Sequence, residues 1–316
     1  MSLLATVLVI LASFLALLGI LLLVIAWRRA WGLTHPPRKA LTRTPTDLGV
    51  AHEDVTFLTN DGLILSGWFI PPRNGRTLIA CHGIFDNREQ FLEQAVALSQ
   101  EGYGFLLYDS RAHGQSSGTF CTYGQDEIKD VAAAVAYLET RPEVDMGRLG
   151  ILGNSLGGIT AIRAAARLPQ LLVIVAESTF ADFGRDIRAA FTRFTHLPAF
   201  PFAPLVIFWG TRMTKINLNT IRPVEDINAI APRPIFLISD LADEIVDEPY
   251  DGELLYARAG APKELWQVPE CQHVQCFTTH REDYLCRVSA FLEKAFSADP
   301  AEMSVAQANA GADQKS

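Results

Sequence analysis

The sequence predicts an α/β domain, a mostly parallel sheet with helices on both faces, preceded by one long apolar helix. Three observations carry this reading. Residues 3–27 contain no charged side chain. Beyond them, short apolar runs rich in Val, Ile and Leu alternate with stretches of helical periodicity, the pattern of strands joined by crossover helices. One of those runs passes into a helix through Gly153-Asn154-Ser155-Leu156-Gly157.

The N-terminal run, Leu3 to Trp27, is nearly all Leu, Val, Ile, Ala and Phe, and about 20 such residues suffice for a helix to cross a bilayer core. A cleaved signal peptide starts with basic residues and ends at small ones. Here the first basic residue is Arg28, and the run ends in Trp27-Arg28-Arg29. The expectation is a retained anchor over residues 1–30. Arg28, Arg29, Arg38, Lys39 and Arg43 all follow it, and the positive-inside tendency then places the main domain on the cytoplasmic side. Residues 31–50, with Pro36, Pro37 and Pro45, read as a linker.

In the domain proper, residues 51–296, Val55–Thr59 and Leu63–Ile70 form a predicted hairpin across Asn60-Asp61-Gly62. Further strands are expected at Thr77–Cys81, Tyr103–Tyr108, Arg148–Leu152, Leu171–Ala176, Pro234–Ser239 and Glu264–Val268. Helices are expected at 87–100, 125–139, 155–167, near 248–258 and at 280–296. Between Phe180 and Arg233 the alternation stops. This stretch is rich in Phe, includes Phe208-Trp209, and is broken by Pro198, Pro201 and Pro204, so it reads as a small helical cap. The tail from Ser297, rich in Ala, Asp, Gln and Ser, reads as disordered.

Composition excludes several classes. A net charge of −8 and the lack of a basic-aromatic stripe argue against nucleic-acid binding. There is no Gly-rich phosphate loop and no internal repeat. Five scattered cysteines do not form a disulfide framework and suit a reducing compartment. Cys271, His273 and Cys276 lack the second ligand pair of a structural zinc site, and no metal or cofactor is implied.

The chemistry centres on Ser155. A strand-to-helix turn of the form G-x-S-x-G forces its serine into a strained conformation, with flanking glycines because side chains there would clash. Gly153 and Gly157 are those glycines. The hydroxyl then stands above the sheet at a helix N-terminus, which favours developing negative charge. It needs a base to become a nucleophile. His273, on the loop after the last predicted strand, is the candidate, with His280 the rival; His82 and His113 precede the serine and fit the expected chain order badly. The acid is expected past strand Pro234–Ser239, where Asp243 leads Asp240, Glu244 and Asp247. It would fix the imidazole tautomer. The backbone N–H groups of Ile84 and Leu156 are the candidate oxyanion donors, with His82 and Gly83 as supporting residues. Arg111 reads either as a substrate clamp or, preferably, as part of a hydrogen-bonded turn, Asp109 to Ser116.

Taken together, His82-Gly83, Asp109-x-Arg111-x-His113-Gly114-x-Ser116, Gly153-x-Ser155-x-Gly157, Asp243-Glu244-Ile245-Val246 and His273 resemble the α/β-hydrolase superfamily over roughly Val50 to Phe296. The opening Asp61-Gly62-x4-Gly67-Trp68 and the short cap resemble its membrane-anchored, serine-aminopeptidase-like members. Ala112 stands where that family usually has Gly, Asp247 where it often has Pro, and Gln272 where a small residue is common. The resemblance implies a serine hydrolase acting through an acyl-enzyme on an ester or thioester, the Phe-rich cap pointing to an apolar, lipid-derived acyl substrate. A serine peptidase and a non-catalytic membrane-anchored scaffold stay open as rivals.

Overall fold

The computed structural model describes residues 2–246 and 249–297; Asp247 and the tail expected to be disordered beyond Ser297 lie outside them. Eight strands form one sheet: β1 (Glu53–Leu58), β2 (Ile64–Ile70), β3 (Thr77–Cys81), β4 (Gly104–Tyr108), β5 (Leu149–Asn154), β6 (Leu171–Glu177), β7 (Ile235–Asp240) and β8 (Lys263–Val268). Their spatial order is β1-β2-β4-β3-β5-β6-β7-β8. Only β2 runs against its neighbours; all pairs from β4 to β8 are parallel. The chain is an α/β-hydrolase fold.

The central strands are buried on both faces, as crossover helices require. Ile79, Leu106, Ile151, Ile174 and Leu237 point into one core, packed by α3 (Glu127–Glu139), α4 (Leu156–Ala165) and α9 (Tyr250–Arg258). Their strand neighbours Leu78, Leu107, Leu152, Val175 and Phe236 point into the other, packed by α2 (Leu92–Gln100) and α11 (Arg281–Ser297). Each such aliphatic side chain contributes about 1.5–3 kcal/mol on burial.

The region between β6 and β7 holds α5 (Phe183–Ala189), α6 (Phe191–Thr195), α7 (Ala199–Thr214) and α8 (Pro223–Asp226). One more short helix, α10 (Cys276–Thr279), precedes α11.

At the N-terminus α1 spans Leu3–Thr34, about 48 Å at 1.5 Å per residue. It is long and apolar enough to cross a membrane, a character shared with N-terminal signal sequences. It runs past the boundary expected at residue 30. Ala26, Ala30 and Thr34, one per turn, are buried, and the two alanines with Leu22, Ile25 and Leu33 join Phe202, Ala203, Val206 and Trp209 in a single apolar cluster. Packing thus extends the helix where charge and proline predicted its end. The expected linker is also not free. Arg38 donates to the carbonyls of Gly114 (2.9 Å) and Gly118 (2.9 Å), Lys39 pairs with Asp86 (2.6 Å), and Thr42 N–H donates to Glu89 (2.8 Å).

The Asp109–Ser116 turn is held by buried polar contacts. Arg88 and Gln115 N–H groups donate to the two oxygens of Asp109 (2.9 and 2.8 Å). Arg111 is buried and bonds Asp130 (2.7 and 2.9 Å) and Asp61 (3.0 Å), which fits the structural reading of this arginine. Ala112 takes φ 63°, the left-handed region glycine favours, so its departure from the family pattern carries local strain. Replacing Arg111 by Met leaves the Asp130 carboxylate buried and uncompensated. R111M should lose about 3–5 kcal/mol in urea unfolding; a loss below 1 kcal/mol would mean that the pair is not held as described.

Candidate active site

Strand β5 ends at Asn154 and α4 begins at Leu156, so Ser155 alone makes the turn. Its backbone sits at φ 54°, ψ −116°, a strained conformation for a residue with a side chain. The glycines around it explain how the turn closes. A Cβ on Gly157 would lie 1.8 Å from the Cys81 carbonyl oxygen, and one on Gly153 would lie 2.1 Å from the Gly157 carbonyl oxygen. Gly158 meets Thr179 in the same way, at 2.0 Å. Helix α4 is thereby pressed against the ends of β3 and β6. Gly83 differs from this pattern. A Cβ there would meet only ordinary contacts at 3.5 Å, among them Ser155 Cβ. Close backbone approach does not require glycine at 83.

The fold brings Ser155, His273 and Asp243 together. His273 Nε2 lies 2.8 Å from Ser155 Oγ, and His273 Nδ1 lies 2.6 Å from Asp243 Oδ2. Asp243 is buried, and its other oxygen accepts the N–H groups of Ile245 (2.7 Å) and Val246 (3.0 Å). An acceptor-only carboxylate at Nδ1 places the ring proton there, leaving Nε2 free to accept from the serine hydroxyl. The rivals lie elsewhere. His280 sits between α10 and α11, its N–H on the Cys276 carbonyl (2.8 Å). Glu244 is exposed.

Ile84 and Leu156 line the pocket around Ser155. The Gly83 N–H is taken by Gln90 Oε1 (2.7 Å), while no hydrogen bond among the described residues engages the Ile84 N–H. Leu156 opens α4, where an N–H has no intrahelical acceptor. His82 is fully enclosed, and burial holds it neutral, below its usual pKa. Its Nε2 accepts the Ser110 N–H (3.0 Å), so Nδ1 donates to the Gly83 carbonyl (2.7 Å). It braces the Gly83–Ile84 loop and is far from solvent.

The pocket measures about 350 Å³. Apolar side chains dominate its walls, among them Leu33, Phe85, Phe180, Phe183, Ile187 and Ile245, and no charged side chain lines it among the described residues. Phe200 and Phe208 are not in it: both are exposed, while Phe202 and Trp209 pack on α1.

The model of the X-Pro dipeptidyl-peptidase (S15) family matches residues 37–201, more than half of the chain. The chain belongs to this family. The S15 match includes the Ser155 turn and ends before Asp243 and His273. Among curated relatives, the uncharacterized protein YfhR of Salmonella typhimurium is 29% identical over 272 residues, 84% of this chain and 88% of the relative. The α/β-hydrolase domain-containing protein WAV2 of Arabidopsis thaliana is 28% identical over 81% of this chain and 83% of its own. Among solved structures, the esterase Pf2001 of Pyrococcus furiosus superposes with a TM-score of 0.71 at 29% identity, covering 84% of this chain and 99% of that one. The chain is a hydrolase by family and by neighbours.

This S15 member carries supports for His273 that its sequence did not single out. Asp240 Oδ2 accepts from Ser178 Oγ (2.9 Å) and from the Gln275 N–H (3.3 Å), and Ser178 Oγ in turn accepts the Val274 N–H (3.0 Å). Asp240, weighed above as a rival acid, therefore braces the histidine loop from below. Glu177 does the same through the Cys276 N–H (3.2 Å). The only signal for either was an acid at the end of a buried strand. Asp240, Cys271 and Cys276 also lie close enough to offer metal ligands, but burial holds both thiols above their usual pKa. His273 points away from them, to Ser155.

Burial first, and then the charge of Asp243, push Asp240 up to about 6. The folded protein holds this proton more tightly than the unfolded chain does. The stability it contributes is therefore full below about pH 4 and is lost as pH rises through about 6. Asp240→Asn removes that dependence. Its urea midpoint relative to wild type should climb from pH 4 to 6 and level off above; a difference that stays flat with pH would mean that Asp240 ionises normally.

Proposed function

We infer that this protein is a serine esterase or thioesterase, held at a membrane by α1, that cleaves an apolar acyl group through an acyl-enzyme. The observation that carries this is the Ser155–His273–Asp243 chain, 2.8 and 2.6 Å, at the floor of an apolar pocket. Ser155 Oγ attacks the acyl carbonyl and passes its proton to His273 Nε2. Asp243 fixes the imidazole and stabilises the imidazolium. The N–H groups of Ile84 and Leu156 receive the developing oxyanion. His273 then protonates the leaving group, and water, activated by the same base, releases the acid. In this reading residues 1–30 anchor the chain in the bilayer, 51–296 form the hydrolase domain with 180–233 as its cap, and the cations from Arg28 to Arg43 keep that domain on the cytoplasmic side.

The family name offers a second reading, a peptidase that removes X-Pro dipeptides. Such an enzyme must bind a free α-ammonium, which calls for a carboxylate at the pocket wall. Pocket residues here are neutral among those described, and this favours an acyl over a peptidyl substrate.

A fluorophosphonate probe should label the full chain at Ser155. S155A and H273A should each lose at least about 10⁴-fold in kcat on p-nitrophenyl esters, and an aminoacyl-prolyl amide should be the poorer substrate. Labelling that survives S155A, or a folded wild type inert to the probe, would overturn the reading; preferential cleavage of the amide would favour the peptidase.

A further inference from the structure

Helix α1 reaches the pocket. Leu33, one residue from its C-terminal end, lines the cavity around Ser155. That end is fixed to the hydrolase domain by backbone and side chain alike. The Leu33 carbonyl accepts the Tyr123 hydroxyl (2.6 Å) and the Thr34 carbonyl accepts the Cys121 N–H (2.8 Å). Tyr123 is itself a pocket wall, its ring stacked on Phe183 with centroids 4.5 Å apart.

Behind those residues lies a second apolar cavity, of about 40 Å³, between α1 and the cap helices. Leu33, Tyr123, Phe183 and Ile187 line both cavities, so the two share one wall. The far part of the second is formed by Ala30 and Thr34 of α1 and by Val206, Gly210 and Thr214 of α7. No charged residue lines it among the described residues. Its small volume suits one methylene chain.

The geometry also gives its direction. Thr34 meets Gly210 and Met213 near the end of α7. The same cluster holds Leu22, Ile25 and Ala26 of α1 with Phe202 and Ala203 of α7, so α7 runs back along α1 toward the apolar span. α7 exposes Phe208 (54%), and Phe200 (84%) is exposed at its first, non-helical turn, φ −103°, ψ 134°. Such exposed aromatic rings are costly in water and suited to lipid. The seam between α1 and α7 therefore runs from the wall of the Ser155 pocket toward the apolar span of α1.

We propose that α1 is one wall of the substrate site, and that the α1–α7 seam takes the distal methylenes of a single long acyl chain presented from the membrane. The substrate class is a single-chain lipid ester or thioester with its carbonyl at Ser155 and its tail beside Ala30 and Gly210. This rests on the esterase reading above and deepens it. The N-terminal helix then sets chain-length selectivity as well as location.

The test uses the full chain in phosphatidylcholine vesicles, labelled with a hexadecyl fluorophosphonate that carries a diazirine at the end of its tail. After photolysis, peptide mapping should place the tail on residues 30–34 and 206–214. Adducts confined to other elements, with Ser155 labelled, would overturn this proposal and leave the esterase reading intact; no labelling at Ser155 would overturn both. Gly210→Phe provides a second readout. A Cβ at 210 meets nothing nearer than Thr34 Cγ2 at 3.8 Å, so the ring fills the seam. The ratio of kcat/KM for p-nitrophenyl palmitate over butyrate should fall about tenfold or more, since each methylene denied burial forfeits roughly fourfold. An unchanged ratio in folded G210F would count against the seam, and if G210F does not fold, the cross-link map decides.

Discussion

The contact between α4 and the end of β3 is the constraint from which the site follows. Because no side chain intervenes at Gly157, the first turn of α4 rests directly on the Cys81 carbonyl. Gly153 and Gly158 let the same turn close on itself and on Thr179. The helix cannot approach this closely unless the chain reverses within one residue, and Ser155 is that residue, at φ 54°. The strain is held by the sheet on one side and the α4 core contacts on the other, as strained backbone at functional sites generally is. Exposure of the hydroxyl to the pocket and the orientation of the Leu156 N–H are consequences of the same turn.

A strained serine needs a base held to matching tolerance, and here that support is built from buried acids. β6 and β7 end side by side, bringing Glu177 and Asp240 beneath the loop that carries His273. Each accepts a backbone N–H from that loop, and Ser178 links Asp240 to a third. Burying two carboxyls close together is expensive unless at least one keeps its proton, and both are pushed above the usual carboxylate range. Asp243 takes the other position, one turn beyond the strand, where two N–H groups and the imidazole satisfy it. Asp240 at the end of β7 and Asp243 on the loop after it thus divide into a brace and a partner for His273.

Much of this was legible in the sequence because it depends on short-range pattern. Strand-helix alternation gave the sheet, G-x-S-x-G between a strand and a helix gave the turn, and the chain order of Ser155, Asp243 and His273 gave the contact set. Strand ends moved by a residue or two where the last pair of a ladder extends into the loop, as at Asn154 and Glu177. What was not legible depends on where distant elements meet. Nothing in the local sequence at Leu33 or Tyr123 marks them as pocket walls, since they approach Ser155 only through the docking of α1. The Phe-rich cap pointed to an apolar substrate from composition alone, without saying which of its aromatics reach the site. In the fold, Phe202 and Trp209 pack on α1 and Phe200 and Phe208 face outward, because composition cannot say which side of a helix is covered.

The docking of α1 also changes what an anchor implies. A helix joined by a free linker would set only the local concentration of the domain at a surface. Here Arg38, Lys39 and Thr42 pin the following segment to the domain, and Tyr123 and Cys121 hold the helix end itself. The orientation of the pocket relative to the helix axis is therefore fixed. If α1 spans the bilayer, that fixed angle carries α7 and its exposed phenylalanines to the lipid surface with it. A substrate that never leaves the membrane could then reach Ser155 without its tail crossing water, which spares the transfer cost of about 0.8 kcal/mol for each methylene that stays buried. In the reading proposed above, the pinned linker, the docked helix and the uncharged pocket wall serve one physical requirement, an apolar surface for the chain with polar groups gathered only where the acyl carbonyl is held.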